Sequence, residues 1–288
     1  MPSAAISDAI HKDSHYAQAF AGRSQARRAY TNWFMTGPAI REGFDMVEAD
    51  ARKAIALAPD LADDHLALAV FFDDGSVDFA RANEEYERAL ELAPSDAHTL
   101  RLYGLFAVCI GRSEVGVAAG RRAVLLDPLN RYAHAQFGWA LYEARRYREA
   151  ITSFQEAVAL DPEMPDAGRG LSYYALGDYQ SARTLCEAKP DFLFDSEICL
   201  AMIYGRLGRH DEAEAALAKV TPSDGAMGMR KTAEVYAQWG NMPEALERLE
   251  TALRLRIGMA CLRADPLLDP LRKEPRFREI ERALKFPE

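Results

Sequence analysis

Apolar residues recur along this chain at intervals of three and four, which is the spacing of one face of an amphipathic helix. They do so in pairs of segments, and a short turn joins the two members of each pair. Within residues 131–162, the first segment places Phe137 and Leu141 on its apolar face, and the second places Ala150 and Phe154 on its own. The proline at the end of this stretch stops the second helix, because a residue that precedes proline is pushed out of the α conformation. The pattern therefore predicts a helical hairpin.

The proline that closes such a hairpin returns at a nearly constant interval. It occurs at Pro59, Pro94, Pro128 and Pro162, after Ala-Leu-Ala, Glu-Leu-Ala, Leu-Leu-Asp and Ala-Leu-Asp. The successive intervals are 35, 34 and 34 residues. A unit of this length is too small to bury its own apolar face, so a period in the thirties predicts a solenoid of stacked helical pairs.

Small side chains stand where two helices of the array are expected to cross closely. In the first helices these residues are Ala69, Gly104, Gly138, Gly170, Ala201 and Ala233, and in the second helices they are Ala82, Gly116, Ala150, Ala182, Ala213 and Ala245. Together with the terminal prolines, this arrangement resembles the tetratricopeptide repeat family, whose repeats read W-x2-L-G-x2-Y, then A-x3-F, then P. The resemblance covers nearly the whole chain. It implies an all-α fold: an α-solenoid, wound as a right-handed superhelix of about seven helical hairpins, with a C-terminal capping helix.

We predict a single solenoid domain over residues 1–288. The repeats within it are regular in the middle and irregular at both ends. A long, atypical first unit takes residues 1–60, regular repeats take 61–253, and a turn-rich cap with a last charged helix takes 254–288. The terminal unit of a solenoid needs a polar outer face, which a cap supplies. Its Asp-Pro-x-x-Asp-Pro-Leu-Arg string resembles the ends of repeat arrays in bacterial signalling proteins, where the array follows a cyclase-like or winged-helix domain.

Two glycines, Gly116 and Gly120, stand inside the second helix of the third unit. Each costs about 1 kcal/mol of helix propensity relative to alanine. Because both lie on one face of the helix, we predict that a neighbouring helix packs very closely against them. The alternative is that the solenoid is softest at this point.

The net charge of the chain restricts which kinds of molecule it is expected to bind. The chain has a formal net charge of −9 and a pI near 5.3. This balance disfavours a nucleic-acid partner, because phosphate binding needs a basic field. A basic peptide or a basic partner face is electrostatically easier to accept.

The N-terminus lacks the basic and apolar stretches of a secretory signal. The longest apolar runs, such as residues 66–72, fall far short of the roughly 18 residues that a membrane span needs. No Cys-x-x-Cys pair occurs among the four cysteines, which are Cys109, Cys186, Cys199 and Cys261. Scattered cysteines indicate reduced thiols. These features predict a cytoplasmic protein with no membrane partner.

No motif that carries catalysis stands out. The chain has no Gly-x-x-x-x-Gly-Lys-Ser/Thr loop for phosphate, and residues 168–170 (Gly-Arg-Gly) are only a fragment of a dinucleotide fingerprint. His11 and His15 have the i, i+4 spacing of zinc ligands, but they lie where helices end, which favours two solvated histidines. The acidic stretch 73–78 lacks the alternating ligands of a calcium loop. We therefore predict no cofactor, no metal and no enzymatic activity.

The first helix of each unit lines the inner, concave surface of a solenoid, so its residues outside the core are candidates for binding. Phasing the repeats places nine of them on this surface: Arg101, Leu105, Gln136, Trp139, Tyr142, Tyr174, Met202, Arg206 and Arg230. Trp, Tyr and Arg are the residue types that dominate interface hot spots. For Trp139 and Tyr142, the alternative is that they fill the space between neighbouring units.

The leading hypothesis is a protein–protein interaction module that binds a protein or peptide segment in its concave groove, in bacterial regulation or signalling. The partner is expected to be apolar and aromatic, with basic side chains admitted by the negative charge. One tetratricopeptide subclass grips acidic chaperone tails with Lys and Asn, but the corresponding positions here include Arg101, Leu105 and Trp139. The alternative is a small-molecule-sensing regulatory domain that controls a separate cyclase or transcription regulator.

Overall fold

The computed structural model describes residues 4–35, 39–188, 195–220, 225–255 and 259–287. Throughout these ranges the regular structure is helical, as predicted. The helices are α1 Ala4–Lys12, α2 Ala17–Phe34, α3 Ala39–Leu57, α4 Ala62–Asp74, α5 Phe79–Leu92, α6 Ala97–Cys109, α7 Ser113–Leu126, α8 Arg131–Glu143, α9 Tyr147–Leu160, α10 Ala167–Ala175, α11 Tyr179–Ala188, α12 Asp195–Arg206, α13 His210–Leu217, α14 Gly225–Gln238, α15 Met242–Leu255, a 3-10 helix Pro266–Leu271, and α16 Pro275–Leu284. In the described part of the chain, no helix has both the length and the apolarity needed to cross a membrane.

Helices α2 to α15 pair into seven hairpins, from α2 and α3 to α14 and α15. Most neighbouring even-numbered helices contact one another, as α2 contacts α4 and α6 contacts α8, whereas most odd-numbered helices contact their own partner and the next even-numbered helix. The even-numbered helices are therefore the inner layer of a right-handed α-solenoid, and the odd-numbered helices are the outer layer. The predicted fold class is confirmed.

Local side-chain chemistry sets where several helices begin. Asp78, Asp96 and Asn130 precede α5, α6 and α8, and each accepts a hydrogen bond from a backbone N–H of the first helical turn. These contacts satisfy N–H groups that have no partner within the helix. The turns after four of the inner helices use a glycine with positive φ, whereas Arg145 takes that conformation after α8. Its side chain becomes important at the candidate site.

The predicted close packing at Gly116 is confirmed where α6 and α7 cross. A Cβ atom built on Gly116 would collide with the carbonyl oxygen of Gly104 and lie 2.7 Å from the backbone nitrogen of Val108. A Cβ atom on Gly104 would lie 2.9 Å from the backbone nitrogen of Gly120. The two backbones are thus in direct contact, and no side chain fits between them.

After α15 the chain turns back, and residues 259–271, called the C-terminal segment below, pack inside the superhelix. Leu262 and Leu268 of this segment are fully buried, as is Phe277 of the capping helix α16. They share one apolar core with residues of α2 to α7 and of α14 and α15. The apolar side chains that follow the last repeat are therefore explained by burial in the interior.

Polar contacts tie the C-terminal segment to the ends of the inner helices. Arg145, just after α8, donates from Nη2 to Oδ1 of Asp269 at 2.8 Å. Gln238, the last residue of α14, donates from Nε2 to the carbonyl oxygen of Leu267 at 2.7 Å. The first and last inner helices, α2 and α14, are also in contact. The two ends of the array of hairpins therefore meet, with the C-terminal segment held between them.

The four cysteines form two disulfides, Cys109–Cys261 and Cys186–Cys199. The expectation of reduced thiols is wrong for this structure. The cysteines of the first pair are 152 residues apart in the sequence, and only the return of the C-terminal segment to the end of α6 brings them together. Spacing along the chain carries no sign of such a contact.

We predict that Gly116→Ala lowers the free energy of unfolding by about 1–3 kcal/mol, because the added methyl group forces two backbones apart. The matched control is Gly22→Ala. Gly22 also lies inside a helix, but nothing stands within 4 Å of an added Cβ atom there, so this change should stabilise by about 1 kcal/mol. Urea denaturation measures both. Equal effects of the two substitutions would contradict the backbone contact.

We predict that Cys261→Ser lowers the free energy of unfolding by about 2–4 kcal/mol, because it opens the crosslink between the C-terminal segment and α6. Cys186→Ser should cost less, since its disulfide joins residues only 13 apart and loop-closure entropy grows with loop length. Thermal unfolding without reductant measures the difference. Alkylation of all four cysteines in the native, unreduced protein would refute the pairing.

Candidate functional site

Three of the nine predicted groove residues line one cleft at the ends of the inner helices. Tyr142, Tyr174 and Arg206 contribute to it from α8, α10 and α12, and the cleft has a volume of about 400 Å³. The C-terminal segment supplies the opposite wall through Pro266, Leu267 and Asp269. We call this site the tyrosine cleft; its remaining lining residues are Tyr147, Ala175, Leu176, Gly177, Tyr179 and Gln238.

A chain of hydrogen bonds fixes the polar side of the tyrosine cleft. Arg206 donates from Nε to the hydroxyl of Tyr174 at 3.3 Å, and that hydroxyl donates to Oε1 of Gln238 at 3.1 Å. Gln238 is held in turn by the carbonyl oxygen of Leu267. Burial raises the pKa of Tyr174, and the hydrogen bond from Arg206 opposes that rise. The phenol therefore stays neutral at physiological pH and orients the guanidinium.

The other side of the cleft is aromatic. The rings of Tyr174 and Tyr179 have centroids 5.4 Å apart, and those of Tyr142 and Tyr147 lie 5.6 Å apart. Both pairs are tilted, which is a favourable geometry for neighbouring rings. Tyr147 and Tyr179 are half-buried, so they present ring surface to the cleft while their partners complete the core.

Arg230 lies in a buried ion cluster that anchors the C-terminal segment. It pairs with Glu234 on its own helix and with Asp265 of the segment, both at 3.0 Å. Lys231 lies 3.9 Å from Glu234, and Glu143 of α8 approaches from the other side. The cluster therefore holds three carboxylates and two cations, and its position in the interior makes an unbalanced charge costly.

This excess of carboxylates changes their protonation. Burial raises the pKa of Glu234 to about 7, although Lys231 and Arg230 oppose the rise. Burial and the nearby Asp265 raise the pKa of Glu143 well above its ordinary value. Oε2 of Glu143 is buried without a hydrogen-bond partner among the described residues. The cluster consequently retains protons that the same groups release in the unfolded chain.

The remaining predicted residues divide between surface and core. Arg101 and Gln136 are half-buried on the inner layer, and Leu105 is half-buried against the core. Met202 is fully buried, as Tyr142 nearly is, because neighbouring helices and the C-terminal segment cover them. Trp139 is half-buried and is described in the next paragraph. That these positions contact a partner stays a prediction.

For Trp139 and Tyr142, the sequence left open whether the side chain lies on the groove surface or fills the space between units. The structure gives a different answer for each residue. Tyr142 fills space in the core, with 1% of its surface exposed. Trp139 is half-buried; its ring packs edge-on against Phe154, with centroids 5.3 Å apart, and Nζ of Lys231 lies 6.0 Å from its centroid. Trp139 therefore combines a structural contact with a surface that remains open.

Sequence reasoning identified three of the twelve residues that line the tyrosine cleft. Phasing considers only the repeats, so the wall formed by the C-terminal segment was invisible to it. One signal was available: an arginine, Arg145, stands where four of the other inner-helix turns have glycine. Among the described residues, no three His, Cys, Asp or Glu side chains come together as metal ligands.

Comparison with known proteins agrees with this geometry. Family models described as tetratricopeptide repeat match residues 136–191 and 200–222. The chain therefore carries tetratricopeptide repeats in these two stretches. It is 27% identical over 186 residues to the transcriptional regulator HilA of Salmonella typhimurium, an alignment that covers 61% of this chain and 34% of HilA. It is 28% identical over 95 residues to the small glutamine-rich tetratricopeptide repeat-containing protein 2 of Mycosarcoma maydis, over 33% of this chain and 27% of that protein.

The chain thus spans about a third or less of the length of these curated relatives. Among solved structures, it is similar to PilF of Pseudomonas aeruginosa, with a TM-score of 0.52, 21% identity, and coverage of 73% of this chain and 92% of that one. It is also similar to the human IFIT1 dimer with m7Gppp-AAAA, with a TM-score of 0.58, 18% identity, and coverage of 87% and 66%. At these identities the likeness shows the fold alone.

The ion cluster predicts a pH dependence. For Glu143 and Glu234, whose folded-state pKa values are raised, the stabilising contribution is complete below their ordinary value of 4.5 and is lost as pH rises, through about 7 for Glu234. Glu143→Gln should remove part of this loss and stabilise the protein at pH 8 by about 1–3 kcal/mol, because an unpartnered buried charge disappears.

Denaturant unfolding between pH 4.5 and 8 measures this difference. Glu156→Gln, at an exposed position of the outer helix α9, is the control and should leave the pH profile unchanged. If Glu143→Gln follows the wild-type profile at every pH, the assignment of retained protons to the cluster fails.

Proposed function

We propose that this tetratricopeptide repeat protein is an interaction scaffold that binds a protein or peptide segment on its inner surface. Repeats of this family form interaction modules, and the fold is generally non-enzymatic. The single observation that carries the proposal is the convergence of inner-layer Arg and aromatic residues. Arg206 meets Tyr142 and Tyr174 in the tyrosine cleft, and Arg101 and Trp139 are half-buried on the same layer of helices.

The open part of the inner surface lies between α6 and α8. There Arg101 makes no ion pair with any described residue, and burial together with the nearby Arg28 lowers its pKa. Tyr132, at the start of α8, is 52% exposed, and Gln136 and Trp139 follow it one helical turn apart along the helix. A bound segment would thus meet a row of polar and aromatic side chains, with the tyrosine cleft beyond it.

The chemistry of the partner follows from these side chains. Apolar and aromatic groups of a protein or peptide suit Trp139 and the tyrosines, and the net charge of −9 admits basic groups at longer range. The proposal includes no nucleic acid and no membrane as partner. The similarity to HilA supports a place in bacterial regulation. A cytoplasmic location stays part of the proposal on that similarity, because the two disulfides remove the argument from reduced thiols.

A second candidate function is a small-molecule sensor that controls a separate effector. The tyrosine cleft favours it, because ligand sites in proteins occupy about 300–1,000 Å³ and this cleft has about 400 Å³. The similarity to a transcriptional regulator supports the same view. A thermal-shift screen with metabolites separates the candidates, since a ligand at 100 times its Kd adds about 2.7 kcal/mol of stability, whereas a scaffold stays silent.

We predict that Trp139→Ala abolishes retention of the partner while the helical content stays unchanged. The reason is that its half-buried ring lies on the open inner face, where an aromatic or apolar group of the partner would pack against it. Pull-down from a lysate of the source organism, with far-UV circular dichroism on the same samples, measures both effects. Leu160→Ala, at an exposed position of the outer helix α9, is the control and should retain the same proteins.

Trp139 also packs against Phe154, so a second variant protects the test from a loss of folding. Arg101→Glu reverses a charge that has no ion-pair partner in the described chain, and it should weaken retention without unfolding the protein. If both folded variants retain the wild-type set of proteins, the inner surface is not the binding site.

A further inference from the structure

We propose that the tyrosine cleft binds a carboxylate group attached to an aromatic or apolar body. The inference deepens the proposed function, because it names the chemistry of one group of the bound molecule. Two sources supply such a group: a free small carboxylic acid, or an acidic side chain beside an apolar residue in a peptide segment. The geometry that points to a carboxylate starts at Arg206.

Arg206 is an exposed arginine that lacks an acidic partner. Among the residues that the structure describes, no carboxylate lies within ion-pair distance of it, and its one hydrogen bond runs from Nε to the hydroxyl of Tyr174. By contrast, the nearby Arg209 is paired with Glu212. The bond to Tyr174 orients the guanidinium and leaves its two terminal nitrogens without a protein partner. Their parallel N–H groups match the two oxygens of a carboxylate.

The orientation of Arg206 is supported from behind. Tyr174 is 6% exposed and its hydroxyl donates a hydrogen bond to Oε1 of Gln238, whose amide nitrogen is fixed by the backbone of the C-terminal segment. The tyrosine hydroxyl therefore donates its hydrogen bond to Gln238 and accepts the hydrogen bond of Arg206. A guanidinium held in this way loses little side-chain entropy when it binds a planar anion.

The opposite wall does not repel an anion. Asp269 is the one carboxylate among the lining residues, and it accepts hydrogen bonds from Arg145 at 2.8 Å and from Arg272 at 2.7 Å. Two guanidinium groups thus surround one carboxylate there. Arg272 also lies 3.5 Å from Glu281, so these two arginines balance the two carboxylates. The charge of Arg206 is then left without a protein counter-charge, which favours a bound anion locally.

The rest of the cleft suits an apolar body. Tyr147 and Tyr179 present ring surface, and Leu176 is 43% exposed at the rim. The volume of about 400 Å³ accommodates a single aromatic ring with its substituent. A ring packed among tyrosines gains an edge-to-face or offset contact in addition to its burial. An inorganic anion would use Arg206 alone and leave these walls unfilled.

The test uses phenylacetate as a probe of the small-acid source and phenylacetamide as its neutral, nearly isosteric control. Isothermal titration calorimetry of the full chain, with probe up to about 10 mM, should show weak binding of phenylacetate and none of phenylacetamide. Arg206→Gln should weaken the binding at least about tenfold, because it removes the charge-assisted pair of hydrogen bonds. Arg209→Gln is the matched control and should bind as the wild type does.

The peptide arm uses the acetylated and amidated tripeptide Phe-Glu-Phe against Phe-Gln-Phe. Binding of the glutamate peptide alone, weakened by Arg206→Gln, assigns the carboxylate to a protein partner, whereas binding of phenylacetate alone assigns it to a small ligand. Either result, or both together, supports the inference. Failure of both probes to bind, equal binding of the neutral analogues, or equal binding to Arg206→Gln overturns it.

The failure of this inference is distinguishable from the failure of the proposed function. If Trp139→Ala abolishes partner retention while neither probe binds, the scaffold function stands and the cleft is not a carboxylate site. If phenylacetate binds through Arg206 while Trp139→Ala retains every partner, the cleft site stands and the inner-surface scaffold does not.

Discussion

The direct contact between the backbones of α6 and α7 is the constraint on which the rest of the structure depends. Gly104 and Gly116 permit it, because any side chain at either position would separate the helices. The contact sets the position of the end of α6, where Cys109 joins the C-terminal segment. That segment forms one wall of the tyrosine cleft. The absence of a side chain at two core glycines is in this way linked to the geometry of the candidate site.

The polar anchor of the C-terminal segment works by a different physical principle. Arg230 pairs with two carboxylates in the interior, where ion pairs give little net stability because desolvation offsets the attraction. What they contribute is a fixed position, since Asp265 must lie within hydrogen-bond distance of the guanidinium, as it does at 3.0 Å. The apolar residues around it, such as Leu262 and Leu268, supply the stabilisation that the ion pairs do not. Position and stability of the segment therefore come from different residues.

Whether a feature of the fold or the site could be predicted depended on how far apart in the sequence the contacting residues lie. The hairpins, their number and the tight crossing at Gly116 follow from spacings within about 35 residues, and these predictions are confirmed. Phasing placed Met202 on a first helix of its hairpin and proposed it for the groove, but the position along a helix does not reveal depth, and Met202 is fully buried. The disulfide Cys109–Cys261 joins residues far apart in sequence. Nothing local in the sequence encodes such a contact, so the wall of the cleft could not be predicted.

The contact between α2 and α14 has a consequence for how this array responds to strain. In an open solenoid each unit touches only its neighbours, so the molecule stretches and frays unit by unit, as a spring does. Here the first and last inner helices meet, and the C-terminal segment bridges them through one continuous core. A force applied to one end of the array is therefore borne by the contacts of both ends. The array should therefore resist extension as a closed loop of hairpins does.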